Sequence, residues 1–297
     1  MGTQLVPQRV TIHEPMDAAV WIGEHERWQS AKSRCNKILD RRPFLGQKLS
    51  RYFDLLADAT PDEIERIESV LDWLETGDAR AFYPRQLPIA GLDTKWIESR
   101  AAMVADLSGG PLDFRRPPTT GRIRMLDAEL SGAVGGLSDI TAPIGELAAL
   151  AIRPSRVWIV ENLQTGLAFG SLRDTIVFMG LGYGVSVLAS IPWVTRAECL
   201  YWGDIDTHGF AMLSRARSLL PNLRSELMDE ETLLRFQDLW GIEPAQCGTI
   251  EGAVLTADEM NLFLSLQRHR WAPAVRLEQE RIGWDYAWQR VLASYEK

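Results

Sequence analysis

Apolar positions along the chain follow two different rhythms, and the change falls near residue 118. Up to there the spacing is mostly helical. Thr60-Pro61-Asp62-Glu63 is a capped helix start with a proline in the first turn, followed by Ile64, Ile67, Leu71 and Leu74 at helical intervals. A second helix is predicted over residues 47–57, with Leu49, Tyr52, Phe53 and Leu56 along one side. A third starts behind Asp93-Thr94, carries Trp96, Ile97, Ala101, Val104 and Leu107, and stops at Gly109-Gly110-Pro111. Val10-Thr11-Ile12 reads as a short strand, and residues 82–90 as an extended stretch kept out of a central strand by Pro84 and Pro88. Arg115-Arg116-Pro117-Pro118 reads as a connector, dividing the chain into residues 1–118 and 119–297.

Beyond the connector the rhythm becomes one of short β-rich runs. Residues 121–126 predict a strand and residues 144–150 a short helix. Three uninterrupted apolar runs follow: Val157-Trp158-Ile159-Val160, Thr175-Ile176-Val177-Phe178-Met179 and Cys199-Leu200-Tyr201-Trp202. Runs without alternation belong to strands buried on both faces, as in a parallel sheet whose crossovers are helices. Residues 207–220 predict a helix with Phe210, Leu213, Ala216 and Leu220 inward and Arg215 and Arg217 outward. Thr256-Ala257-Asp258-Glu259 is another capped start, for a helix carrying Met260, Phe263, Leu264 and the basic cluster Arg268-His269-Arg270.

Composition changes this picture little. With 297 residues, 46% hydrophobic and 24% charged, the chain is a folded globular protein. Its net charge of −8 argues against a cationic nucleic-acid coat, although local patches still steer phosphates. Cys35, Cys199 and Cys247 lie far apart without ligand spacing, as expected of reduced thiols in a cytoplasmic protein. No basic-then-apolar signal peptide opens the sequence. Residues 175–195 lack charge over a span long enough for a bilayer, but Gly180, Gly182, Gly184 and Pro192 divide them into a strand, a turn and a buried helix.

Candidate chemistry gathers where the buried runs stop. The first leads into Glu161 and the third into Gly203-Asp204-Ile205-Asp206, and ligands bind outside the carboxyl ends of parallel strands. Asp-x-Asp puts two carboxylates on one side of an extended segment, and a divalent cation relieves their repulsion. An oxygen-only set favours Mg²⁺ or Mn²⁺, with Glu161 as a further ligand or a general base. His208 is either a catalytic base or a helix-start residue bonded to backbone; His13, His25 and His269 read as surface positions. No Gly-x-Ser-x-Gly marks a serine hydrolase. Gly180-Leu181-Gly182-Tyr183-Gly184 has the look of a phosphate-binding turn, but Val185 stands where a dinucleotide fingerprint needs a small residue. Arg276-Leu277-Glu278-Gln279-Glu280-Arg281 is either a solvated charge run or another strand end beside the acids. In the latter case its arginines would hold phosphate, and Glu278 or Glu280 would serve a second metal.

Taken together, residues 160–165, 201–210 and 276–281 resemble the Toprim-containing nuclease subunit of Wadjet plasmid-defence systems, the JetD or MksG family. Tyr83-Pro84-Arg85-Gln86-Leu87-Pro88-Ile89 and residues 91–98 resemble the segment that precedes Toprim there. The resemblance implies an α/β Toprim-like small parallel sheet flanked by helices, behind a mainly helical, winged-helix-like N-terminal domain. It implies Mg²⁺ or Mn²⁺ held by Glu161, Asp204 and Asp206, and metal-dependent cleavage of double-stranded plasmid DNA by water, since no tyrosine stands out as a nucleophile. His208 joins the catalytic candidates, and Lys95, Arg276 and Arg281 are the candidate DNA-phosphate contacts. The implied partners are an SMC-like ATPase, a kleisin, accessory subunits and a second copy of the chain, with no membrane. Fewer residues precede the recognisable segment here than in that family, which points to a shortened N-terminal region. Two other classes stay open: a non-catalytic subunit bridging DNA to a partner, and a dinucleotide enzyme built on the glycine turn.

Overall fold

In the computed structural model, residues 11–250 and 254–295 are described. The chain divides into two compact units, residues 1–117 and 118–297, each with its own apolar core.

The first unit is helical, and no strand forms among its described residues. The expected helices are present, and strands that could form a wing are absent among the described residues. Helix Pro61–Thr76 begins at Thr60, whose hydroxyl accepts from Glu63 N at 3.2 Å, and it buries Ile64, Ile67 and Leu71. Helix Thr94–Ser108 begins at Asp93, which accepts from Trp96 N at 2.8 Å, and ends on Gly109 in the left-handed region. Two expectations change. The single helix over residues 47–57 is interrupted: Gly46–Leu49 and Phe53–Asp58 are α-helical, with a 3₁₀ turn at Ser50–Tyr52 between them. Ser50 Oγ bonds back to Gln47 O at 2.8 Å, a side-chain competitor for helical bonding, and Tyr52 reaches Asp106 at 3.1 Å. The stretch 82–90 is not simply extended, because Pro84 begins a 3₁₀ turn, Pro84–Gln86, that Gln86 closes by accepting from Tyr83 N. Of the strand expected at residues 10–12, Val10 lies outside the described residues, and Thr11 and Ile12 adopt no regular structure.

The second unit is built on strands β1 (Thr120–Met125), β2 (Asp139–Pro143), β3 (Arg156–Val160), β4 (Thr175–Met179), β5 (Glu198–Trp202) and β6 (Arg224–Ser225). They form one sheet in the order β2-β1-β4-β3-β5-β6. The three apolar runs are the parallel trio β4-β3-β5, and β6 extends it in parallel. β1 pairs antiparallel with both β4 and β2, so the sheet is larger and more mixed than three parallel strands.

Both faces of the trio are covered, which explains the uninterrupted runs. On one face Trp158 meets Phe169, whose ring is in turn flanked by Trp284 and Trp288 of helix Trp284–Ala293. On the other, Phe178, level with Ile159, stacks on Trp193. Helix Thr207–Leu219 buries Phe210, Leu213 and Ala216 as its spacing requires. Arg217, expected outward, is instead enclosed with Glu259 at 2.7 Å and the carbonyls of Leu223 and Val254. Periodicity marks a polar helix face but not whether another element covers it. The glycine turn leads into a 3₁₀ helix, Gly182–Ser190, not an α-helix whose amino end could cradle a pyrophosphate. Helix Ala257–Gln267 has the expected capping box at Thr256 and Glu259, and Arg268-His269-Arg270 follows its end. No helix among the described residues is long and apolar enough to cross a membrane. Cys35, Cys199 and Cys247 are free thiols.

Candidate functional site

Parallel registration brings the carboxyl ends of β3 and β5 level, with Val160 opposite Trp202. The residues that follow, Glu161 and Asp204, therefore emerge at the same edge. Two short strands complete that edge. β7 (Gly241–Ile242) and β8 (Val275–Arg276) pair antiparallel, and Leu277 then exchanges both backbone bonds with Ile205, at 2.9 and 3.1 Å. The charged string is thus a strand end beside the acids and not a solvated run.

Glu161, Asp204, Asp206, His208, Glu243 and Arg276 line one cavity of about 380 Å³. Each acid is held by a distinct donor. Tyr201 donates its hydroxyl to Glu161 Oε1 at 2.5 Å. Gln279 N donates to Asp204 Oδ1 at 2.9 Å. Asp206 is the N-cap of helix Thr207–Leu219, taking Gly209 N at 2.7 Å. Arg276 lies among them, with Nη2 at 2.6 Å from Asp204, Nε at 3.1 Å from Asp206 and Nη1 at 3.5 Å from Glu278.

Glu161 and Asp206 hold their protons unusually tightly. Burial pushes Glu161 up to about 8; the Asp204 and Asp206 charges add to this, while the Tyr201 bond and Arg276 oppose it. Burial likewise pushes Asp206 up to about 6, with Glu243 and Asp204 adding and the Gly209 N–H and Arg276 opposing. Tyr201 is raised well above the usual phenol, first by burial and then by Glu161. The donor set suits a hard cation, being carboxylate oxygens around a cavity. As they stand, no three His, Cys, Asp or Glu side chains among the described residues are grouped closely enough to hold a metal. It is Arg276 that bridges Asp204 and Asp206.

His208 sits in the first helical turn, its Nε2 2.9 Å from Ala245 O, which is its backbone-bonded alternative. Arg281 bonds Leu239 O at 2.9 Å and Glu278 at 3.0 Å, and Glu280 accepts from Asn162 Nδ2 at 2.5 Å. Lys95 is exposed in the first turn of its helix in the first unit.

Three contributors had no role assigned from the sequence. Tyr201 and Gln279 lie inside the motifs but look like strand filler and a charge-run spacer. Gln279 in fact joins two strand ends, accepting from Asn162 N at 2.9 Å and donating to Trp202 O. Glu243 is 3% exposed and accepts from Thr207 Oγ1 at 2.6 Å and from His208 N at 3.2 Å. Nothing local marks it, because β7 alone delivers it to the helix end.

Close packing here gives a stability prediction. A Cβ on Gly209 would overlap the Asp204 carbonyl oxygen, a backbone atom fixed by the turn. Gly→Ala within a helix ordinarily gains about 1 kcal/mol, but overpacking against backbone costs about 1–3 kcal/mol. Gly209→Ala is therefore expected to lower stability in urea unfolding; an increase would show that the turn yields.

Residues 113–291 match the family model described as Wadjet protein JetD, C-terminal. Residues 1–108 match a model described as an uncharacterized protein conserved in bacteria, N-terminal. No curated protein matches the chain.

Proposed function

The chain belongs to the JetD family of Wadjet proteins, components of a multi-subunit defence system, and from that premise we propose that its second unit is a Toprim-like, divalent-cation-dependent nuclease of double-stranded DNA. The observation that carries this reading is the convergence of Glu161, Asp204 and Asp206 on one cavity at the ends of β3 and β5. Those three would hold Mg²⁺ or Mn²⁺. When bound, such a cation stabilises charge on a phosphoryl oxygen and makes water a better nucleophile.

The protein's own residues position the acids. Tyr201 fixes one oxygen of Glu161, the Gly209 amide fixes one oxygen of Asp206, and the Gln279 amide fixes one oxygen of Asp204. The second oxygens of Asp204 and Asp206 meet Arg276. Glu278 and Glu280 stay in reserve for a second cation, although each already has a partner in Arg281 or Asn162. Arg281 and Lys95 remain candidates for DNA phosphates; SMC-like, kleisin and accessory partners, and a second copy of the chain, belong to the same reading.

Calorimetry with Mn²⁺ tests it. Wild type is expected to bind Mn²⁺, and Asp206→Asn to lose that binding while melting normally, because Asn caps a helix as well as Asp does. A protein that binds DNA in a salt-dependent way but no Mn²⁺ would instead be a bridging subunit. That second reading draws on the guanidinium standing between the acids.

A further inference from the structure

Resting on the cation reading, we propose that Arg276 is an internal counter-ion of the carboxylate cavity, which holds Asp204 and Asp206 together without a divalent cation and has to leave for one to enter. Its position is imposed from both sides. β8 pairs Arg276 with Gly241, and the next residue, Leu277, is locked to Ile205 between the two aspartates. The guanidinium cannot avoid Asp204 and Asp206 unless its side chain rotates away from them.

The contacts are those of a substitute cation. One guanidinium spreads over Asp204, Asp206 and Glu278 rather than forming the parallel two-bond pair that it makes with a single carboxylate. Its fit is incomplete: Nε lies 3.1 Å from Asp206 Oδ2, yet this buried N–H has no aligned acceptor. A buried donor left unsatisfied favours rearrangement over permanence. A way out exists, because the side chain is 32% exposed and already touches Glu278, which is 38% exposed. Rotation toward Glu278 would free the Asp204 and Asp206 oxygens without breaking the backbone bridge.

Arg276 and a divalent cation therefore compete for the same oxygens, and their binding is negatively coupled. A phosphate group arriving in the cavity would shift the balance, since it offers the guanidinium a bidentate partner in place of the acids. On this account the site accepts its cation most readily once a phosphodiester has drawn Arg276 aside.

Two measurements on the full chain test this. In Mn²⁺ calorimetry without DNA, Arg276→Gln is expected to bind at least about tenfold more tightly than wild type, and adding Asp204→Asn to abolish that binding. Wild-type binding that depends on Asp204 but is equal or weaker in Arg276→Gln overturns the inference and leaves the cation reading standing. No Mn²⁺ binding by either protein overturns both. The second measurement does not need the variant to fold. In wild-type chain labelled with ¹⁵N-arginine, saturating Mg²⁺ is expected to move the Arg276 Nε–H signal and speed its exchange with water. Mg²⁺ that binds and leaves that signal unmoved overturns the inference.

Discussion

Replacing Asp204 by Asn is expected to reduce divalent-cation-dependent nicking of supercoiled plasmid by at least about 10³-fold, since a catalytic cation supplies several kcal/mol of transition-state stabilisation. The substitution is close to isosteric. Its oxygen can still accept from Gln279 N, so the edge at β8 stays closed, and what disappears is the charge that a cation would meet. Folding changes little because two effects oppose each other. The contact of Asp204, 14% exposed, with Arg276, 32% exposed, is lost, while repulsion on Asp206 and Glu161 is relieved. Nicking assays in Mn²⁺ alongside thermal unfolding separate the two readouts. Undiminished nicking by a contaminant-free Asp204→Asn preparation would remove the cation from the mechanism.

The largest stability effect is expected outside the carboxylate cavity, at the enclosed pair of Arg217 and Glu259. Glu259 has a 7% exposed side chain and accepts from Arg217, from Ser225 at 2.5 Å and from Thr256 N at 2.7 Å. It closes the capping box of its helix and ties that helix to Thr207–Leu219, whose amino end carries Asp206. Glu259→Gln keeps the shape but leaves the Arg217 charge enclosed without a counter-charge. Breaking such a pair costs about 3–5 kcal/mol, a large share of the roughly 5–15 kcal/mol that stabilises a domain. Denaturant unfolding is expected to show this loss. Joint replacement by Arg217→Met and Glu259→Met should recover part of it; a double variant as unstable as the sum of its parts would mean the charges are not what couples them.

The same pair gives a signed pH dependence. Burial pushes the Glu259 carboxyl up, but the bonds from Arg217, Ser225 and the Thr256 amide, with the Arg217 charge, outweigh it and lower it. A lowered folded-state value means that the stabilisation is complete above the ordinary carboxylate range and is lost as pH falls toward the lowered value. Wild type is therefore expected to lose more stability on acidification than Glu259→Gln does. Parallel losses in the two proteins would contradict this assignment.

Local rules in the sequence determined much of the scaffold. Thr60, Asp93 and Thr256 cap the helices that follow them, because an N-cap needs only a side-chain oxygen within reach of an amide a few residues on. The three apolar runs became β3, β4 and β5 because only strands covered on both faces can be apolar throughout. The same runs put Glu161 and Asp204 at strand ends. What tertiary structure alone decided is which residue meets which acid. Arg276 and Gln279 are more than seventy positions from Asp204 and reach it through the Ile205–Leu277 bridge. Glu243 arrives only because β7 pairs with β8, and Arg217 turns from a surface residue into an enclosed one when the helix of Glu259 covers it. Periodicity describes a residue's side of its own element. The charge opposite it is set by long-range pairing, in which no local spacing takes part.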